Sequence, residues 1–224
     1  MLLDMIRNGF SVDTVISLCV RIFVIFCILP IHEFAHAFAA HKLGDETARL
    51  SGRLTISPLA HIDPFGAILM IVAGVGWAKP VPVNMNNLKT KNKKLGMAVV
   101  SFAGPFSNIL MALFFMLVMN AVTKFAPSTD LTQIIFTFLY TAASLNVTLA
   151  VFNLIPIPPL DGSRLITLLI PDKYYYKIMQ YERYIGIAFM LIILFGALDV
   201  PLAYLSSWLF KGLYYAAAFP FKFF

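Results

Sequence analysis

Apolar residues run almost unbroken from about Val12 to Ala40, Leu95 to Val122, Leu131 to Ile155 and Tyr184 to Val200. At about 1.5 Å per residue, the first three exceed the roughly 30 Å hydrocarbon core of a bilayer, and the fourth meets it at the lower limit. A last stretch, Leu202 to Phe219, carries Lys211 and many aromatics, and fits either a span or an interfacial helix. The pattern predicts an all-α polytopic membrane protein with about 4–6 transmembrane helices. Between the first two spans it changes. Lys42 to Asp63 is polar, and Thr47 to Ile56 alternates loosely, as a strand would. Phe65 to Trp77 is apolar but about 13 residues long, with Gly66, Gly74 and Gly76 inside it. It is too short to cross and predicts a re-entrant segment. Pro80 and Pro82 in Ala78 to Asn84 suit an edge strand, so a small β-hairpin or sheet is expected there.

Composition sharpens this picture. Of 224 residues, 60% are hydrophobic and 12% charged, against about 25% charged in soluble domains. No sizeable soluble domain fits, and residues 1–224 read as one membrane-embedded domain with no internal repeat. The net charge is +6, but the bases lie in loops beside the spans. They indicate orientation in a lipid bilayer and no nucleic-acid partner. Lys89, Lys91, Lys93 and Lys94 follow the first span, and Arg164, Lys173, Lys177 and Arg183 follow the third, whereas Thr123 to Asp130 holds only Lys124 as a base. The N-terminus is thus expected outside, with the ends of spans one and three on the cytoplasmic side. Cys19 and Cys27 are about 12 Å apart on one helix, too far for a disulfide. The first run is too long for a cleaved signal and reads as an anchor. Arg21 within it is expected to be structural, snorkelling or pairing with a carboxylate.

His32-Glu33-Phe34-Ala35-His36 lies near the inner end of this first run, just after Pro30. Histidines four apart share a helix face, and a glutamate beside the first can reach a water bound to the metal that they hold. Such polar groups inside an apolar span are costly without a role. A hydrolytic zinc site wants a third ligand. Asp161 is the best candidate, because it follows the proline-broken end of the third span and comes level with the histidines from the same side. The expected chemistry is metal-assisted hydrolysis, with Zn2+ held by His32, His36 and Asp161, one per chain, and Glu33 as general base. His41 and His61 are expected to be interfacial, and Asp199 to do no chemistry.

The two motifs together resemble the site-2 protease family of zinc intramembrane metalloproteases. The resemblance rests on His32 to His36 and on Asn153-Leu154-Ile155-Pro156-Ile157-Pro158-Pro159-Leu160-Asp161-Gly162. Ser51 to Leu54, His61 to Gly66, Trp77 to Asn84 and Ala103 to Asn108 support it. It implies the same zinc ligands and base, and a role for Asn153 in holding the substrate or the oxyanion. Asn108 either lines the site as a substrate-binding residue or is structural. Ser57-Pro58-Leu59 departs from the expected asparagine-proline-leucine without touching a catalytic position. There is no room for an inserted PDZ domain or a CBS pair. The expected activity is regulated intramembrane proteolysis of a transmembrane protein substrate, in a bacterial cell membrane crossed several times, with the active site toward the cytoplasm. An unwound substrate is expected to pair with the edge near Ala78 to Asn84.

The main alternative is a catalytically silent membrane scaffold of the same fold, which would not need Glu33. A zinc transporter would want several metal sites along a path. Four histidines are too few for a membrane di-iron oxidase. A prenyl-protein protease also uses two histidines around a glutamate, but its third ligand is usually a glutamate.

Overall fold

A computed structural model describes residues 12–72 and 76–223. The first long rod is two helices, α1 (Val12–Phe23) and α2 (Leu29–Lys42), joined through one π-helical turn, Val24–Ile28. Pro30 explains the turn. It has no N–H to donate to the carbonyl four residues back, so the chain widens by one residue. The Leu29 N–H accordingly bonds to the Val24 carbonyl. The widened turn ends just before His32. Helix α3 (Pro64–Val72) follows in the segment expected to be re-entrant, of which residues 73–75 lie outside the described residues. Arg21 donates from Nη1 to the Met70 carbonyl, 3.2 Å away. It partners one of the orphan carbonyls near the end of this short helix in place of the expected carboxylate.

Helix α4 (Lys93–Phe125) and helix α5 (Asp130–Asn153) form a long hairpin. Both are capped by polar side chains: Asn92 accepts from the amides of Lys94 and Leu95, and Thr129 and Thr132 form a reciprocal capping box. The rod Thr14–Lys42, α4 and α5 are the three helices among the described residues long and apolar enough to cross a membrane. Helices α6 (Asp172–Gln180), α7 (Glu182–Leu194) and α8 (Asp199–Ala218) complete the chain. The expected fourth span, Tyr184 to Val200, is interrupted by a turn around Gly196, so α7 falls short of crossing length.

The expected hairpin also shrinks. Among the described residues, pairing is limited to one antiparallel bridge, Ile62 with Ala78. Pro80 and Pro82 cannot donate to a ladder. The predicted strand over Thr47–Ile56 begins as a short helix, Thr47–Leu50, because Asp45 Oδ1 accepts the Thr47 amide at its start.

The main core joins Ile25 and Ile28, Ala112 and Met116 of α4, and Ala143 and Val147 of α5. The surface is rich in exposed Phe, Leu, Ile and Trp, as expected of helices facing lipid, where apolar exposure costs nothing.

Candidate metal centre

Helix α4 lies antiparallel to α2. Val100 packs beside Ala40, and one turn further along Gly104 meets the two histidines. Gly104 is required by this close approach: a methyl there would sit 2.2 Å from His36 Nε2 and 2.6 Å from His32 Cε1. Small side chains on this face let α4 serve as the floor of the site.

Asp161 arrives from the other end of the hairpin. After α5 stops at Asn153, the chain folds back through a proline-rich turn to the short helix Gly162–Leu165. Gly162 allows the return, because a methyl there would lie 2.3 Å from the Leu154 carbonyl oxygen. Ser163, buried, bonds the Leu160 carbonyl through both its amide and its hydroxyl. The turn thus sets Asp161 opposite α2.

The result is a triangle. His32 Nε2 and His36 Nε2 are 3.1 Å apart, and Asp161 Oδ2 is 3.2 Å from the first and 3.3 Å from the second. Tetrahedral zinc with bonds of about 2.0–2.1 Å places its donors about 3.3 Å apart. Spacing and donor chemistry therefore both fit zinc. His36 Nδ1 lies 2.8 Å from the Val100 carbonyl. It must donate to that oxygen, which leaves the Nε2 lone pair facing the centre. Both imidazoles are buried.

Glu33 lies beside this triangle, and its Oε2 accepts the Val81 N–H at 3.0 Å. The segment carrying Val81 is held by Asp45, which is fully buried. Asp45 Oδ2 accepts the Asn84 N–H at 2.7 Å, and Oδ1 accepts Asn87 Nδ2 at 3.2 Å together with the Thr47 amide and hydroxyl. Burial acts to raise the Asp45 pKa, but these donors, the Thr47 hydroxyl first, hold it below the usual carboxylate range. Leu88, buried against Ala40 and Val100, fixes the far end of the segment.

His32, Glu33, His36 and Asp161 open on one cavity of about 550 Å³, with Val81 and Asn153 in its wall. Asn153 donates to the Leu149 carbonyl at 3.0 Å. Helix α7 covers one side, and Arg164 Nη2 reaches Glu182 Oε1 there at 3.2 Å. Asn108 does not line the cavity. It is 1% exposed, with neither side-chain end hydrogen-bonded. His61 bonds the Thr55 carbonyl and His41 meets Glu46, both apart from the triangle. Sequence reasoning missed the Val81 amide, the Val100 carbonyl and the Arg164–Glu182 pair. Of these only the last leaves a trace, as a base three residues after Asp161 and an acid opening a helix.

Residues 118–194 match the model of Peptidase family M50. The chain is 45% identical over 169 residues to "Putative zinc metalloprotease YwhC" of Bacillus subtilis, covering 72% of this chain and 74% of that protein. It is 33% identical over 139 residues to "Putative zinc metalloprotease Rip2" of Mycolicibacterium smegmatis, covering 60% of this chain and 51% of that one. Against "Zinc metalloprotease MJ0392" of Methanocaldococcus jannaschii it is 26% identical over 179 residues, 79% of this chain and 42% of the relative. No solved structure matches it. With its helical, membrane-type architecture, the chain belongs to peptidase family M50, the site-2 protease family, and is a zinc metalloprotease.

Proposed function

We propose that this metalloprotease hydrolyses peptide bonds within or next to transmembrane segments of membrane-protein substrates, in regulated intramembrane proteolysis. One zinc per chain is held by His32, His36 and Asp161. The reading rests above all on one observation: three converging donors lie on and against a membrane-length helix and open on a cavity. His36 and His32 are about 9 and 15 Å from the Lys42 end of that helix, below the lipid surface yet close enough for water to enter through protein-lined space.

Zinc supplies Lewis acidity toward water and a peptide carbonyl. The remaining work falls to the chain. Glu33, oriented by the Val81 amide, takes a proton from the attacking water and later delivers it to the leaving amine nitrogen. Asn153 in the cavity wall donates toward the oxygen on which negative charge develops. Asp161 and the two imidazoles stay fixed, so little reorganisation accompanies the reaction. The segment around Val81 and Val83 is extended and borders the cavity. It offers backbone to an unwound substrate by strand addition. The setting is a bacterial cell membrane, with the site toward the cytoplasm.

The test is cleavage of a model transmembrane substrate by the full chain in proteoliposomes. Wild type should cut within or beside the hydrophobic segment, and Glu33→Gln should not. Cleavage of soluble peptides alone, or full activity of Glu33→Gln, would contradict the proposal.

A further inference from the structure

Of the buried side-chain atoms without a hydrogen-bond partner among the described residues, four lie on α2, α4 and α5: His32 Nδ1, Asn108 Nδ2 and Oδ1, and Asn146 Oδ1; Arg21 Nε, His61 Nδ1 and Ser206 Oγ are the others. His32, Asn108 and Asn146 are 5%, 1% and 0% exposed. A polar atom orphaned in an apolar interior bears its full desolvation cost with no bond in return. That one of the four belongs to a residue of the metal-type site, and two more to a residue one helical turn from Gly104, calls for an explanation.

Their positions converge. Gly104 lies against His32 Cε1, the ring carbon bonded to Nδ1. Asn108 is one turn further along the same face of α4, about 6 Å on. Because α2 and α4 run antiparallel, that step leads away from His36, toward the Ile28 end of α2. One turn beyond each residue, the chain enters a single apolar cluster. Ile28 precedes His32 by four residues, Ala112 follows Asn108 by four, and Ala142 precedes Asn146 by four. Asn146 spends its amide on the Ala142 carbonyl at 2.9 Å, and its oxygen has no partner. The three side chains thus close the polar end of one core. The two histidines also differ. His36 has the Val100 carbonyl to hold its Nδ1 proton, while His32 has no such acceptor. A metal-ligating imidazole almost always donates its other N–H to an oxygen.

We propose that Asn108 is the positioning residue for His32. Its side-chain oxygen accepts a hydrogen bond relayed from His32 Nδ1–H through one buried water, within reach of which Asn146 adds a further acceptor. This fixes the tautomer that turns Nε2 toward the metal. A water in this place would have the two to four polar partners that buried waters need. The inference rests on the reading of His32 as a zinc ligand. It also assigns Asn108 a role that does not require it to touch substrate.

The test is zinc affinity by chelator competition in detergent, with every variant in the Glu33→Gln background to prevent self-cleavage. Asn108→Leu fills the space and removes the acceptor, and should weaken zinc binding about 10- to 100-fold. Asn108→Asp offers a carboxylate acceptor and should bind zinc within about threefold of the parent, or more tightly. A purely structural asparagine predicts the reverse order, because a buried carboxylate is worse for an apolar core than leucine. Unchanged affinity in Asn108→Leu, or weaker binding in Asn108→Asp than in Asn108→Leu, would overturn the proposal. If Asn108→Leu does not fold, as judged by the melting of metal-free protein, Asn108→Ala takes its place against Asn108→Asp with the same expected order. His32→Ala is run alongside. If it keeps zinc, the metal-site reading itself fails. If it loses zinc while Asn108→Leu does not, only the role of Asn108 fails.

Discussion

The two halves of the proposed catalytic centre are held in different ways. The donor triangle is fixed by packing. His32 and His36 ride on one turn-spaced face of α2 against the bare backbone of Gly104, and Asp161 is set by a turn folded tightly onto the end of α5. Glu33 shares the helix with the histidines, yet its carboxylate is steered from outside, by the Val81 amide. That segment has almost no ladder of its own. It is anchored by one buried carboxylate, Asp45, which gathers donors from Thr47, Asn84 and Asn87. Metal binding and proton transfer should therefore be separable: one set of substitutions removes zinc, and another leaves zinc in place and slows the reaction.

The largest effect is expected at the floor of the triangle. Gly104→Ala puts a methyl where His36 Nε2 now stands 2.2 Å away, so an imidazole must leave its place. Metal analysis of the purified variant should find little zinc, and activity should vanish with it. Full zinc occupancy in this variant would break the comparison, because the donors would then not depend on close helix packing.

A smaller and different effect is expected at Asp45. Both its oxygens face donors, so Asp45→Asn turns an amide against one of them. The loss of charge-assisted hydrogen bonds should cost about 2–3 kcal/mol locally, lowering the melting temperature. A misplacement of Glu33 by about 1 Å would reduce kcat on the order of 10²-fold. Zinc content should stay at the wild-type level, and loss of zinc in Asp45→Asn would erase the distinction. The pH dependence follows from the depressed pKa of Asp45. Its stabilisation is complete above the ordinary carboxylate value of about 3.9 and is lost as pH falls through the lower folded value. Melting of the wild type should therefore weaken on acidification below about pH 4, and the share due to Asp45 should be missing in Asp45→Asn.

The triangle was legible in the sequence because it obeys simple periodicities. His32 and His36 are one turn apart, and Asp161 follows a span whose direction the basic loops predict. Pro30 was legible as a perturbation, and the structure makes it a π turn. What escaped is carried by backbone. The Val81 N–H and the Val100 carbonyl have no side-chain signature, and the packing that aims them depends on residues far apart in the chain. The alternation over Thr47–Ile56 suggested a strand, but a short helix starts at Thr47, whose amide Asp45 accepts. The Pro80/Pro82 pattern read as a strand edge, and the same prolines leave the segment with a single bridge, Ile62 with Ala78. Apolar length alone suggested about four to six spans; among the described residues three helices are long and apolar enough to cross, and the turn that ends α7 left no mark in apolar length. The sequence left Asn108 as either lining the site or structural; its burial, with neither end hydrogen-bonded, could be known only from coordinates.

The most direct measurement is the zinc content of the full chain purified in detergent, as wild type, Glu33→Gln and Asp161→Asn. The account predicts about one zinc per chain in the first two and a marked loss in the third. Zinc retained in Asp161→Asn, or lost in Glu33→Gln, would contradict it.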